Sequence, residues 1–353
     1  MILGAGLLGA MFLPFGQMHG APISTTPYHP NGIVASPDGA TLYIAASSAG
    51  TSFFLAANTQ FGTITAALPL LNQNTGTVEQ GAFQVAINPN GTLIFVLNTL
   101  TSSVDVIDQA TNTQIATFSS PTIQAFPSGI RVSPNGEQLW VANSATAPGF
   151  ENGTVSVIGL KSANFGVPLN LINTGGNPNQ ILFNEKGTHA YVLNTGFTGF
   201  VDEINAKTYR IITSDLASDS LDSPNPLAMD LLANETGLYI GNGTSYVNHV
   251  IIKTGFVEDI IYMFPGLAPE VQDIGQVLIS PDQKYVVTAN IDTGSSSVAK
   301  TSTNEFAGYI YGAPGSHIYF LAFHQHTLYA SYYNGTGVGT PGGLDFIGEA
   351  TLP

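Results

Sequence analysis

The chain has no cysteine, and only eight of its 353 residues are lysine or arginine. Without thiols there can be no disulfide, no thiolate nucleophile and no Cys-ligated zinc or iron–sulfur site. The formal net charge of −15 repels phosphate backbones, and no basic run counters it. Nucleic acid is therefore not expected as a partner.

Charge of either sign is scarce, since Asp, Glu, Lys and Arg make up 9 % of the chain, against about 25 % in ordinary soluble domains. The surface is therefore expected to be polar without being ionic. Such a surface favours an extracellular or cell-surface location, including an acidic environment. The reason is that few cations give little positive self-repulsion once the carboxylates are protonated.

Sequence signatures of catalysis are also missing. The chain contains no Ser-His-Asp order, no Gly-rich phosphate loop and no His-Glu-x-x-His motif. We therefore predict that the protein is not an enzyme and that it has no cofactor.

Residues 1–20 contain no charge and are rich in Leu, Met and Phe. They are similar to the apolar part of a secretory signal, with Gly20-Ala21-Pro22 as a cleavage neighbourhood, but no basic residue precedes them. The run is too short and too interrupted by glycine for a stable membrane span, which needs about 20 apolar residues. We expect a signal-like segment or one that packs against a neighbouring subunit.

The remainder, residues 21–353, is built from repeats. The stretch 83–118 predicts four short strands joined by three turns, and its second strand is almost wholly apolar. Comparable turns stand directly before comparable apolar strands, about 43 to 52 residues apart, beginning at Ser36, Asn88, Ser133, Asn184, Asn234, Ser280 and Phe323. This pattern predicts an all-β fold, a seven-bladed β-propeller of four-stranded antiparallel blades.

The repeats resemble the YVTN family of seven-bladed propellers. Ser36-Pro37-Asp38-Gly39 and the strand from Leu42 match the turn and second strand of that family, and Val104-Asp105-Val106-Ile107-Asp108 matches its third strand. The resemblance covers roughly residues 31–346. It implies a protein that is secreted or exposed on the surface of bacteria or archaea.

A propeller must also hide the two ends of its ring. The seventh unit supplies strands at His317–Phe323, Leu328–Tyr333 and Leu344–Ile347, but only Ala350–Pro353 remains for a fourth. We therefore expect Pro22–His29 to be the outer strand of the last blade and to close the propeller.

The first strands of a propeller line its central channel. Amides dominate the residues that enter these strands, together with one serine and one histidine: Asn31, Gln84, Ser128, Asn179, Asn225, Gln276 and His317. Amides supply hydrogen-bond donors and acceptors but no strong base or nucleophile. The ring suits a neutral polar ligand at the channel mouth, or it only solvates the channel.

No metal site is predicted. His324 and His326 are the only close histidine pair, and residues i and i+2 of a strand share a face. The repeat alignment places them in a turn, where solvated side chains are expected. Two carboxylate clusters are present: Asp215, Asp219 and Asp222, and Glu258, Asp259, Glu270 and Asp273. The first has the spacing of a calcium-binding loop but lacks its glycine and its terminal glutamate, which favours a solvated linker.

Five Asn-x-Thr sequons are candidates for glycosylation, at Asn90, Asn152, Asn234, Asn242 and Asn334. Four of them read Asn-Gly-Thr, which a hairpin turn also uses. Both interpretations stay open from sequence.

Together these features predict an extracellular structural or binding propeller that associates with copies of itself in a surface layer or filament. A lactonase-like hydrolase is one alternative, since the stretch 28–32 resembles lactonase-type propellers locally. A glycan-binding propeller is the other, and exposure of Trp140, Tyr332 and Tyr333 would favour it.

Overall fold

The computed structural model describes residues 16–17, 19–144, 153–195, 199–217, 226–243, 245–265, 273–291, 293–311, 317–333 and 346–352. Within these ranges the chain forms 29 β-strands and no helix. It follows that the described part has no helix of the length and apolarity that a membrane span requires.

The strands divide into seven blades. Two short strands come first in the chain, β1 (Gly16–Gln17) and β2 (His19–Ser24). Blade 1 consists of β3 (His29–Ala35), β4 (Thr41–Ser48), β5 (Thr51–Asn58) and β6 (Thr63–Pro69), and blade 2 consists of β7 (Ala82–Ile87), β8 (Leu93–Asn98), β9 (Ser103–Asp108) and β10 (Thr113–Phe118). Blade 3 consists of β11 (Pro127–Val132), β12 (Gln138–Asn143), β13 (Thr154–Gly159) and β14 (Pro168–Asn173), and blade 4 consists of β15 (Pro178–Phe183), β16 (His189–Asn194), β17 (Phe200–Asn205) and β18 (Arg210–Leu216).

Blades 5 to 7 follow the same plan. They consist of β19 (Pro226–Leu231), β20 (Gly237–Asn242), β21 (Tyr246–Ile251) and β22 (Phe256–Tyr262); β23 (Ile274–Ile279), β24 (Tyr285–Asn290), β25 (Ser295–Lys300) and β26 (Glu305–Tyr311); and β27 (His317–His324), β28 (Thr327–Tyr333) and β29 (Phe346–Thr351), completed by β2. Each blade is an antiparallel meander, so the predicted seven-bladed β-propeller is confirmed.

The ring closes through the N-terminal strand. β2 pairs antiparallel with β29, Ile23 opposite Ile347, and supplies the fourth strand of blade 7. The sequence placed this strand at Pro22–His29, but His29 already begins β3. Ahead of it, β1 pairs in parallel with the outer edge of β26 in blade 6. Residues 1–15 and 18 of the apolar segment lie outside the described residues.

The first turn of blade 5 differs from the sequence prediction, which placed it at 234–237. The observed turn spans 232–235, because Leu232 N–H donates to Gly237 O and Glu235 N–H donates to Leu232 O. Gly237 belongs to β20, where a Cβ would lie 2.4 Å from His249 Nε2. The absence of a side chain at Gly237 therefore leaves room for the His249 ring. In the turn itself, Glu235 takes the positive φ of 59°, a conformation that glycine adopts in the first turns of blades 1 to 4.

The core lies between neighbouring blades. The second and third strands are almost fully buried, and the apolar clusters combine side chains from adjacent sheets. Trp140 of blade 3, for example, is fully buried and packs edge-on against Phe183 of blade 4, with ring centroids 5.2 Å apart. Each blade thus buries both of its faces only because it has neighbours.

Buried asparagines end the second strands of blades 2 to 6. Asn98 Nδ2 donates to Asp105 Oδ2 over 2.9 Å, and Asn194 Nδ2 donates to Asp202 Oδ2 over 3.0 Å, so the amide ties the second strand to the third. Asn242 has the same position and is 2 % exposed. Its amide is therefore enclosed in the folded chain, and glycosylation at Asn242 stays a prediction.

Two other sequon asparagines serve their turns. Asn90 Oδ1 accepts from the Thr92 hydroxyl at 2.8 Å, and Asn234 Oδ1 accepts from the Thr236 hydroxyl at 2.7 Å. Both asparagines are exposed. Asn152 and Asn334 lie outside the described residues.

Candidate functional site

The first strands of the blades enclose two adjoining cavities of about 290 and 180 Å³ along the central channel. Both cavities are lined by Gln84, Gln180, Gln276 and Phe320. These four side chains form the boundary between the two cavities. They come from blades 2, 4, 6 and 7, so the blades contribute unequally to the channel.

The glutamines alternate with small residues around the channel. Gly129 of blade 3 and Ala228 of blade 5 occupy the strand position that Gln84 has in blade 2. All three residues pair with the second-strand residue that directly precedes the final asparagine of that strand. A Cβ on Gly129 would lie 2.4 Å from the carbonyl oxygen of Asn179 in blade 4. Blades 3 and 4 therefore approach too closely for any side chain at that position.

Each glutamine bonds to the backbone of the next blade. Gln84 Oε1 accepts from Ile130 N–H at 3.2 Å, and Gln276 Oε1 accepts from Leu321 N–H. Gln180 makes two bonds to Met229, whose N–H donates to Oε1 at 2.7 Å and whose carbonyl accepts from Nε2 at 2.9 Å. The channel amides therefore join the blades to one another.

The other predicted channel residues act similarly. Asn31 Nδ2 donates to Ala82 O at 2.7 Å, Ser128 Oγ donates to Pro178 O at 2.7 Å, and Asn179 Nδ2 donates to Leu227 O at 3.0 Å. His317 Nδ1 lies 2.8 Å from Ile291 O. Asn225 lies outside the described residues.

Gln180 was missed in the sequence, where the neighbouring Asn179 was chosen instead. A signal was present: Gln84, Gln180 and Gln276 each stand four residues before the Asn or Ser that begins the first turn. The preceding residues Phe83 and Asn179 line only the smaller cavity, and each lies where the pairing of the first strand with the second shifts register.

Two residues of opposite charge, Arg131 and Asp230, occupy equivalent positions on the first strands of blades 3 and 5. Asp230 pairs with Tyr239 on its blade, as Arg131 pairs with Trp140 on its own. Asp230 Oδ2 accepts from Ile279 N–H of blade 6 at 2.6 Å. Its enclosure raises the pKa of the Asp230 carboxyl, and the charge of Arg131 acts in the opposite direction. This carboxyl, too, joins two blades.

A second acid is buried inside blade 2. Asp105 accepts from Asn98 Nδ2 at 2.9 Å, and its other oxygen accepts from Thr117 Oγ1 at 2.7 Å and Gln114 Nε2 at 2.7 Å. Burial raises the pKa of Asp105 to about 7, and the nearby Glu79 charge adds to that rise. Glu79 is fully buried and accepts from the Ser103 hydroxyl at 2.7 Å.

A histidine and two carboxylates converge on the outer part of blade 5. The ligand atoms of His249, Glu258 and Asp259 lie within 4.8 Å of one another, the only such group of three in the part of the chain that the structure describes. Burial lowers the pKa of His249, and the charges of Glu258 and Asp259 oppose that shift. The ring of Tyr239 stacks on the imidazole at 4.6 Å.

This group joins one predicted carboxylate pair to a histidine that sequence analysis did not single out. A signal was available, since the turn before Phe256 makes β21 and β22 a hairpin that places His249 directly opposite Asp259. The side chain of Asp215, the whole of Asp219 and Asp222, and Glu270 lie outside what the structure describes. Asp273 precedes β23, and its carbonyl accepts from Ile291 N–H.

The predicted histidine pair occupies the tight turn of blade 7. His324 ends β27, and His326 lies in the turn before β28. The ring of His324 packs over Gly39 in the first turn of blade 1, where a Cβ would lie 2.1 Å from its Cδ2. The imidazole thus fills the contact between the last and first blades.

Two of the three aromatic residues whose exposure would favour glycan contact lie in the core. Trp140 and Tyr332 are fully buried, so neither offers a stacking surface. The side chain of Tyr333 lies outside the described set.

The perimeter carries several exposed apolar side chains. Large apolar residues are exposed on the fourth strands of five successive blades, at Ile115, Leu171, Ile211, Ile212, Phe256, Ile260, Tyr262 and Tyr311. Leu171 is 52 % exposed and Phe256 is 67 % exposed. Each of these five blades therefore presents at least one large apolar side chain to solvent at the perimeter.

No protein-family model matches this chain, and no curated protein matches it. Among solved structures it is similar to a chain of Kuenenia stuttgartiensis hydrazine synthase, with a TM-score of 0.71 and 16 % identity over 90 % of this chain and 96 % of that one. At this identity the similarity shows the fold alone, the seven-bladed β-propeller. The resemblance to YVTN repeats stays a prediction.

Proposed function

We propose that this propeller is a non-catalytic, extracellular assembly protein, a subunit that associates with copies of itself through its perimeter in a surface layer or filament. The observation that carries the proposal is the exposed apolar residues on the fourth strands of blades 2 to 6. Copies of the chain would cover this surface, and burial of its apolar area would drive association.

The outer edges of the blades supply a second contribution. In the described sheets, β6, β10, β14, β18 and β22 are terminal strands with no further strand beyond them. β6, β10 and β14 contain no charged residue. Soluble proteins usually protect such edges with charges, especially lysine, because an unprotected edge pairs with other chains.

Blade 6 shows that an outer edge accepts an additional strand. Gly16 pairs with Ile310 and Gln17 with Tyr311, in parallel, on the edge of β26. Strand addition to an exposed sheet edge is a recurring way for a protein to bind an extended segment. The same pairing between copies would connect subunits edge to edge.

The alternatives have less support. The channel amides that could bind a lactone or another polar ligand bond to neighbouring blades, and Trp140 and Tyr332 are buried away from any glycan. The similarity to a hydrazine synthase chain, an enzyme by its name, extends to the fold only.

The test is the association state of the purified full-length protein, by sedimentation velocity over a wide concentration range and by electron microscopy. We expect concentration-dependent oligomers, and we expect the double variant Ile115→Glu, Leu171→Glu to shift association to at least about tenfold higher concentration, since each buried charge opposes association. Both residues are exposed, so the fold should be retained.

Phe61→Glu is the matched control. Phe61 is 71 % exposed but lies between β5 and β6 rather than on a fourth strand, so association should be unchanged. A protein that stays monomeric at all concentrations would overturn the proposal, and so would equal dissociation of the control.

A further inference from the structure

We propose that His249, Glu258 and Asp259, together with the side-chain oxygen of Asn304, form a binding site for a divalent transition-metal ion of the Zn²⁺ type that fastens the outer part of blade 5 to blade 6. His249 lies on β21, and the two carboxylates lie on β22. Asn304 comes from the turn between β25 and β26 of the next blade.

The spacing of the polar atoms already approximates a coordination shell. His249 Nδ1 is 3.3 Å from Glu258 Oε2 and 3.1 Å from the terminal atom of the Asn304 amide, which is 2.6 Å from Asp259 Oδ2. A tetrahedral Zn²⁺ site with bonds of about 2.05 Å has ligand atoms about 3.3 Å apart. Small side-chain rotations would place all four atoms on such a shell.

Two polar groups compete for His249 Nδ1. Asn304 Nδ2 donates to Asp259 Oδ2 and lies 3.1 Å from Nδ1, while Glu258 Oε2 lies 3.3 Å from the same nitrogen. As an acceptor, Nδ1 would face the Glu258 carboxylate with no proton between them, and as a donor to Glu258 it would face the amide N–H of Asn304. A metal ion suits both neighbours because it accepts electron pairs from every ligand.

The imidazole presents only one accessible nitrogen. The His249 side chain is 9 % exposed, and its Nε2 is buried against Gly237 with no hydrogen-bond partner among the described residues. Nδ1 is the nitrogen that points at the carboxylates. Because the side chain of Glu258 is 56 % exposed, an ion can enter from solvent on that side.

Asn304 can provide an oxygen ligand if its side-chain amide rotates by 180°, which exchanges the positions of Oδ1 and Nδ2 and leaves the shape of the side chain unchanged. At present Tyr239 Oη donates to Asn304 Oδ1 at 2.7 Å. After the rotation, Nδ2 would donate to Tyr239 Oη, and the tyrosine hydroxyl would turn to the Thr301 carbonyl, 3.4 Å away. The Asn304 amide and the Tyr239 hydroxyl then both keep a hydrogen-bond partner.

The donor set selects the class of ion. One imidazole nitrogen with carboxylate and amide oxygens suits Zn²⁺ and related first-row ions, whereas Ca²⁺ and Mg²⁺ prefer oxygen alone. Two carboxylates balance the charge of a divalent ion. Since the ligands come from two blades, binding should also raise the thermal stability of the folded protein.

The experiment uses full-length protein treated with EDTA and then dialysed. Calorimetric titration with Zn²⁺ is expected to show one site per chain, and Co²⁺ in its place is expected to give the visible absorption of a tetrahedral centre. Glu258→Gln and Asp259→Asn replace exposed carboxylates without changing their shape. Each should weaken Zn²⁺ binding at least about tenfold.

Glu203→Gln is the matched control. Glu203 lies 3.2 Å from His189 in blade 4, a histidine–carboxylate pair that is not part of any three-ligand group in the described residues. Zn²⁺ affinity should be unchanged in this variant. Equal weakening by Glu203→Gln, or a wild-type protein that binds no stoichiometric Zn²⁺ and gives no Co²⁺ absorption, would overturn the proposal.

Asn304→Asp separates a ligand from a merely structural amide. The new carboxylate should lower the melting temperature in EDTA, because three acids then meet, and should raise it above that of wild type when Zn²⁺ is added. If added Zn²⁺ leaves its melting temperature below that of wild type, Asn304 is not a ligand.

Discussion

The side-chain amide of Gln180 pairs with the backbone of Met229 as a neighbouring strand would. Its Oε1 accepts from Met229 N–H at 2.7 Å, and its Nε2 donates to Met229 O at 2.9 Å. Blades 4 and 5 are therefore joined by hydrogen bonds at the channel as well as by apolar packing. This explains why a channel rich in amides need not be a ligand site.

Replacing Gln180 with alanine should lower the free energy of unfolding by about 1–3 kcal/mol, because both backbone groups of Met229 lose their partners inside the channel. Urea denaturation measures the change. Gln84→Ala removes a single hydrogen bond, the one that Gln84 accepts from Ile130 N–H, and should lower the free energy of unfolding by less than Gln180→Ala does. If both variants are as stable as wild type, water replaces the amides and the bonds do not hold the blades together.

Gly129→Ala should destabilise the protein by about 1–3 kcal/mol or more, since the new Cβ would lie 2.4 Å from a backbone oxygen that cannot rotate away. Gly175→Ala is the comparison: its surroundings are open, and only its φ of 74° opposes the substitution, at about 1 kcal/mol. The melting temperature of Gly129→Ala should be lower than that of Gly175→Ala. The opposite order would mean that blades 3 and 4 can separate at little cost.

Stability should depend on pH through Asp105. Burial raises the pKa of this carboxyl to about 7 in the folded protein, above the value of about 3.9 in an unfolded chain. Between these values the folded state holds a proton that the unfolded chain has released. The stabilisation is therefore fully present below pH 4 and is lost as pH rises through 7, by at most about 1.4 kcal/mol per unit.

Asp105→Asn isolates this effect from the other carboxylates. The difference in unfolding free energy between variant and wild type, measured in urea from pH 4 to 8, should move in favour of the variant as pH rises. A difference that is constant over this range would show that Asp105 has an ordinary pKa in the folded protein.

Removing the closing strand should lower the melting temperature sharply. A chain that begins at Thr25 lacks β2 and so loses the pairing with β29 and the burial of Ile23, which is 5 % exposed. That side chain alone contributes about 1.5–3 kcal/mol. A chain that begins at His19 keeps β2 and, among the described strands, loses only β1, so its melting curve should stay close to that of the whole chain.

The repeated turns and second strands were readable from the sequence because their signals are local. Pro and Gly specify a turn, and an unbroken apolar run specifies a strand buried on both faces. The prediction was wrong in blade 5, where Gly237 resembled the end of a turn. Its lack of a side chain instead makes room for the His249 ring, a contact that no local pattern contains.

The channel residues and the cluster around His249 were likewise predictable from the sequence only in part. Gln84 and Gln276 were recognised as channel residues, but their bonds to Ile130 and Leu321 depend on how closely adjacent blades approach. His249 and Asp259 could be paired from the β21–β22 hairpin. Asn304 reaches them from 55 residues beyond His249 along the chain, across the contact between two blades.

The sequence by itself determined the number of blades, the order of strands within each and the apolar second strands of the core, because these follow from turn chemistry and from the spacing of apolar residues. Only the tertiary structure decided what the polar residues do. A side chain's hydrogen-bond partner depends on which backbone lies within about 3 Å of it, and in a propeller that backbone belongs to the next blade.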